Sequence, residues 1–126
     1  MEIKNVKTIE VAVPPNNRVG SYSACLIEVE TDEGIVGVGE ARSSNIPAGV
    51  ISLIVEKSLK PLLVSGDPFA VEALFNKMYR STQNFGQCGL TIIAISGVEQ
   101  ALWDIIGKAA KQPVYNLIGG CVQRAR

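Results

Sequence analysis

The apolar positions of this chain change period once, from every second residue to every third or fourth. That change splits it into a strand-forming part and a helix-forming part. From Ile3 to Val13 the residues alternate, Ile9, Val11 and Val13 falling on one side and Thr8, Glu10 and Ala12 on the other. This is the pattern of a strand with one buried face. Pro14-Pro15-Asn16-Asn17 breaks it. A second strand runs from Tyr22 to Thr31, with Cys25, Ile27 and Val29 opposite Glu28 and Glu30. Thr31-Asp32-Glu33-Gly34 predicts a hairpin connection with Gly34 at positive φ. In the third strand, Ile35 to Ala41, Val36 and Val38 alternate with Gly37 and Gly39. One face of that strand has no side chains, so something must approach it closely or the strand must bend.

Beyond a second polar connection, Arg42 to Pro47, the period becomes helical. Ile51, Ile54, Val55 and Leu59 share a face, and Pro61 is expected to limit that helix. Asp67-Pro68 predicts an N-cap with proline at the first helical position. Val71, Leu74, Phe75, Met78 and Tyr79 form the buried face of the helix after it. The longest periodic stretch lies between Ala94 and Gly119. Ile95, Val98, Leu102, Ile105 and Ala109 share one face, and Ile92, Ala94, Ala101, Trp103, Ile106 and Ala110 cover most of the rest. Only Gln100, Asp104, Lys108 and Lys111 make a polar strip, so a buried central helix is expected, ending before Pro113. Strands first and helices after them predict an α+β fold, a three-stranded antiparallel meander followed by a helical bundle.

Composition adds mainly exclusions. The 126 residues make one domain of ordinary apolar content, 47%. Lysine plus arginine equals aspartate plus glutamate at 12 each, which leaves no electrostatic footprint for nucleic acid or an anionic membrane. No run approaches about 18 uninterrupted apolar residues, and residues 1–11 lack the apolar core of a signal peptide. The three cysteines, Cys25, Cys88 and Cys121, are odd in number and far apart, as suits reduced thiols in a cytoplasmic protein.

Candidate chemistry is sparse. The chain has no histidine, which excludes Ser/His/Asp and Cys/His arrangements and any histidine-bearing zinc site. Gly37-Val38-Gly39 is only part of a dinucleotide fingerprint and opens no helix. Glu99 and Asp104 sit about 140° apart around their helix and do not converge. A carboxylate there is read as a structural hydrogen-bond acceptor, and Glu40 is read as structural too. The connections after strands one and three leave the meander at the same end. They carry Asn17 and Arg18 in one and Ser44 and Asn45 in the other. Taken alone they are two solvated connections, with a recognition surface as the alternative.

The stretch Ala94 to Gly119 resembles the N-terminal signature of the mandelate racemase and muconate lactonizing enzyme family of the enolase superfamily. The resemblance is carried by Ala94, Ser96, Gly97, Val98, Glu99, Ala101, Leu102, Asp104, Gly107, Lys108, Pro113, Val114, Leu117 and Gly119. Gly34, Gly37, Gly39 and Glu40 resemble the family's third strand, and Asp67-Pro68 resembles the dipeptide before its second helix. The resemblance implies that residues 1–120 are a capping domain and that 121–126 begin the linker to a (β/α)-barrel. The barrel would supply the catalytic bases and the carboxylates for Mg²⁺, so no catalytic residue and no metal ligand is expected within this chain. The implied reaction removes the proton α to the carboxylate of a small-molecule substrate, in an acid-sugar dehydratase or a mandelate-racemase-like enzyme. The alternatives are a cycloisomerase, a dipeptide epimerase or a stand-alone interaction module. Substrate contacts are expected from Asn17, Arg18 and Tyr22 in the first connection and from Ser44, Asn45 and Ile46 in the second. The chain alone is expected to be inactive, and the full enzyme to be a homo-oligomer.

Overall fold

A computed structural model describes residues 1–13, 22–42 and 46–120. Three strands, β1 (Ile3–Val13), β2 (Tyr22–Thr31) and β3 (Val36–Arg42), form one antiparallel sheet in chain order. Gly34 closes the β2–β3 hairpin at φ 82°, as its place in the turn requires. A helical run follows, made of α1 (Ala48–Ile54), a π-helical turn (Val55–Leu59) and α2 (Lys60–Leu63). After it come α3 (Val71–Ser81), a 3₁₀ turn (Gln83–Phe85), the long α4 (Leu90–Ala110) and the short α5 (Val114–Leu117). The α+β architecture expected from the pattern is the observed one.

The helices cover one face of the sheet. Cys25, Ile27 and Val29 of β2 are fully buried there against Ile51, Val55, Ile95, Val98 and Leu102. The bare face of β3 is where α4 lies, so the glycine alternation does mark a close approach. α4 is long and apolar enough to cross a membrane by length and composition alone, yet half of its most apolar window is buried inside the fold. That is the behaviour of a core helix.

Three local expectations are corrected. In β1 the polar side faces the helices: Thr8 Oγ1 lies 2.6 Å from both Ser52 Oγ and Glu56 Oε1, while Ile9 and Val11 are 45% and 38% exposed on the outer face. A register shift between Ile3 and Asn5 lets Ile3 and Val6 both bury despite their odd spacing. Pro61 does not limit the first helix, which continues to Leu63. The widened π turn directly before it accommodates a ring that would otherwise press on the carbonyl four residues back. Asp67 caps a turn rather than a helix. Its Oδ1 accepts the Phe69 N–H at 3.0 Å and its carbonyl accepts the Ala70 N–H at 3.1 Å, and α3 begins only at Val71.

Cys25 gives a test of the core. Burial pushes its thiol up from an ordinary value of 9.0 to about 11. The un-ionised thiol is therefore favoured in the fold. That contribution is complete below pH 9 and is lost as pH rises through about 11. The thermal midpoint should fall across this window, and Cys25→Ala should flatten the fall. In a Cys121→Ser background at neutral pH, a thiol reagent should modify exposed Cys88 and spare Cys25 until the chain is unfolded.

Candidate functional site

The end of the sheet opposite the Asp32–Gly34 turn gathers the roots of both polar connections. Val13 pairs with Tyr22, Ala12 with Ser23, and Ala24 with Arg42, so the end of β1, the start of β2 and the end of β3 lie side by side. Ser23 Oγ donates to the Ile46 carbonyl at 2.9 Å, which ties the root of the first connection to the far root of the second. Of the residues expected to touch substrate, Asn17, Arg18, Ser44 and Asn45 lie outside the described residues. Tyr22 is the first residue of β2. Ile46 is exposed just ahead of α1. Its tie to Ser23 has no sequence signal, since nothing in the spacing of a lone serine reveals a contact 23 residues away.

Beside these roots, α4 meets the outer edge of β3 through its polar strip. The Val38 N–H donates to Asp104 Oδ2 at 2.9 Å. Gln100 accepts the Glu40 N–H at 3.3 Å and donates to the Glu40 carbonyl at 3.2 Å. Lys108 Nζ donates to the Val36 carbonyl and to Asp104 Oδ2, both at 2.6 Å. The spacing has a geometric reason. Four helical residues advance about 6.0 Å and two strand residues about 6.6 Å, so positions 100, 104 and 108 stay level with positions 40, 38 and 36. The strip that reads as a solvated face thus completes the hydrogen bonding of an edge strand, where a fourth strand would otherwise pair. Asp104 is a structural acceptor, as expected of a carboxylate in this helix.

Two grooves of about 350 Å³ each flank the strip. One lies between Glu40, Arg42, Ile92, Ile93 and Ser96, next to the connection roots. The other runs from Ser96 and Glu99 past Trp103 to Val114 and Ile118 on the α5 side. Ile92, Ile93, Trp103 and Ile106 are only partly buried, and Ile118 is 65% exposed. The central helix is therefore apolar nearly all round but not buried all round. The near-continuous apolar girth was the sequence signal for this second face. Among the described residues no group of three or more His, Cys, Asp or Glu could hold a metal ion. The described residues therefore offer no fit for a Mg²⁺ ion.

Comparison with known proteins agrees with this arrangement. The family profile "Mandelate racemase / muconate lactonizing enzyme, N-terminal domain" matches residues 4–119. An arabinonate dehydratase of Saccharolobus solfataricus is 46% identical over 99 residues, covering 79% of this chain and 26% of the relative. A D-galactonate dehydratase of Verminephrobacter eiseniae is 42% identical over 98 residues, covering 77% of this chain and 25% of the relative. The crystal structure of a racemase from Streptomyces coelicolor A3(2) with bound magnesium superposes with a TM-score of 0.89 at 26% identity, over 94% of this chain and 36% of that one. The chain thus spans about a quarter of the length of the curated relatives it matches. With the meander, the glycine-faced third strand and the long α4 all in place, the chain belongs to the mandelate racemase / muconate lactonizing enzyme family, in its N-terminal domain.

Proposed function

We propose that this chain is the substrate-capping domain of an enzyme that removes the proton α to the carboxylate of an acid sugar, with loss of water as the outcome. The observation that carries the reading is the 46% identity to an arabinonate dehydratase, with relatives named D-galactonate and L-rhamnonate dehydratase behind it. Asn17, Arg18, Ser44 and Asn45 suit such substrates, because their side chains hydrogen-bond hydroxyls and carboxylates. Within this reading the chain supplies orientation and exclusion of water, and the acid–base groups and Mg²⁺ reside in a barrel domain. The half-exposed apolar face of α4 and α5, Trp103 to Ile118, is the surface that domain would cover.

The test is an assay of the longer protein that carries this chain, with Mg²⁺ and a panel of aldonates, reading formation of the dehydrated keto acid. Dehydration of at least one aldonate is expected, and Arg18→Ala should raise KM roughly tenfold with a smaller change in kcat, as loss of uniform binding does. Turnover limited to racemisation or cycloisomerisation would move the chain to another branch of the family. Turnover by the 126 residues alone would end the capping reading.

A further inference from the structure

One side of α4 carries a single formal charge. By helical spacing, Ile92, Ser96, Glu99, Trp103, Ile106 and Ala110 fall within about 80° of one another around the axis. Gln100, Asp104 and Lys108 lie further round the helix and are taken up by the edge of β3. None of the six stripe positions is fully buried: Ile92, Glu99, Trp103 and Ile106 are half-buried, and Ser96 and Ala110 are exposed. Val114 and Ile118 extend the same surface beyond Pro113 and close the groove of about 350 Å³ with Ser96, Glu99 and Trp103.

Glu99 sits in the middle of this surface, and among the described residues no hydrogen bond or ion pair reaches its carboxylate. The neighbouring acid, Asp104, is already matched by Lys108 and the Val38 N–H. Neither the stripe nor α5 holds a lysine or an arginine. With the groove open, water can solvate Glu99. Any partner that covers Trp103, Val114 and Ile118 removes that water, because Glu99 lines the same groove. An ionised carboxylate buried without a pair is strongly destabilising. Whatever covers this face must therefore bring a positive donor to Glu99.

We infer that Glu99 anchors an arginine borne on an otherwise apolar segment of the longer protein, seated in the groove along α4 and α5. An arginine suits the site better than a lysine. Its planar guanidinium can give two parallel bonds to the carboxylate, and its flat face can stack on the Trp103 indole one turn further on. Ser96, one turn back in the same groove, offers a further acceptor. A second copy presenting the same stripe would bring another carboxylate and no cation. The match covers 26% of the arabinonate dehydratase, so most of a protein of that kind lies outside this chain and can supply the segment. The inference rests on the capping reading only in placing the occupant in the longer protein, and it requires no particular reaction.

Carboxylate footprinting of the longer protein, with a water-soluble carbodiimide and glycine ethyl ester and without substrate, tests both the cover and its chemistry. Glu99 should label roughly tenfold or more slowly than Glu72, an exposed acid on α3. Replacing the arginines outside this chain by alanine, one at a time, should find one whose loss brings Glu99 labelling to within about threefold of Glu72, with lysine at that position restoring part of the protection. Glu99 labelling as fast as Glu72 would overturn the inference, because the groove would be open. Protection that no arginine substitution relieves would overturn it too, and protection lost on dilution to the monomer would assign the cover to a second copy instead. The labelling is read without turnover. A protein that shields Glu99 through one arginine yet dehydrates no aldonate would support this inference and count against the proposed reaction.

Discussion

Gly39→Ala is expected to lower the stability of the fold by about 3 kcal/mol or more, the upper end of what overpacking a core costs. A Cβ at Gly39 would stand 1.9 Å from the Gly97 carbonyl oxygen, 2.9 Å from the Ala101 nitrogen and 3.0 Å from Gln100 Cβ. At Gly37 it would stand 2.0 Å from the Ala101 oxygen. These neighbours are mostly helix backbone, so no rotamer change relieves the overlap, and α4 would have to draw back from β3. Drawing back would also break the bonds from Gln100, Asp104 and Lys108 to the strand edge. The approach is tight from the helix side as well: a Cβ at Gly97 would meet Ile27 Cδ1 at 2.7 Å and Ala41 Cβ at 2.9 Å. Gly34→Ala is the control. Nothing lies within 4 Å of its Cβ position, and only its positive φ opposes substitution, at about 1–2 kcal/mol. Urea denaturation should rank Gly39→Ala well below Gly34→Ala. Equal losses would mean that close backbone approach does not hold the helix to the sheet.

The same residues show how far a sequence can be read and where it stops. The bare face of β3 announces a close neighbour because two glycines alternate with two valines. It cannot name the neighbour, since α4 lies about sixty residues further on and only the tertiary fold joins them. Likewise, helical spacing isolates Gln100, Asp104 and Lys108 as the polar strip of an apolar helix, and solvent is then the natural partner. Their real partners are main-chain groups, which carry no side-chain signal. β1 misleads for a related reason. Ile9 and Val11 look like a core face, but Thr8 and Glu10 point inward, with Thr8 held by α1 and the following turn through Ser52 and Glu56. Pro61 and Asp67 are local signals overridden locally, one by a π turn and the other by a turn that closes before α3 starts. At the connection roots, register and strand direction bring Ser23 and Ile46 together. Asn17, Arg18, Ser44 and Asn45 remain readings of residue type and family resemblance.

Asp104→Leu is expected to cost about 2 kcal/mol and to leave a chain that associates through β3. The loss follows from the Val38 N–H, which bonds a charged oxygen at 2.9 Å and would be left facing an alkyl group. Hydrogen bonds to charged groups contribute about 1.5–3 kcal/mol, and the lower half of that range applies because this bond lies at an exposed strand edge that water can reach. The Lys108 ion pair adds little, because both partners are about a third or more exposed, at 48% and 34%. Asp104→Asn, which keeps an acceptor oxygen and surrenders only the charge, should therefore cost less than about 1 kcal/mol. The second effect depends on the edge rather than on the energy of one bond. With Asp104 gone, Val38 has a free N–H between Gly37 and Gly39, on a strand whose outer side chain is already 42% exposed. Such an edge recruits other strands. Light scattering at increasing concentration should show association for Asp104→Leu and none beyond wild type for Asp104→Asn, and Gln100→Leu should behave like Asp104→Leu. If Asp104→Leu lowers the unfolding midpoint without changing association, the strip holds α4 in place and does not guard the edge.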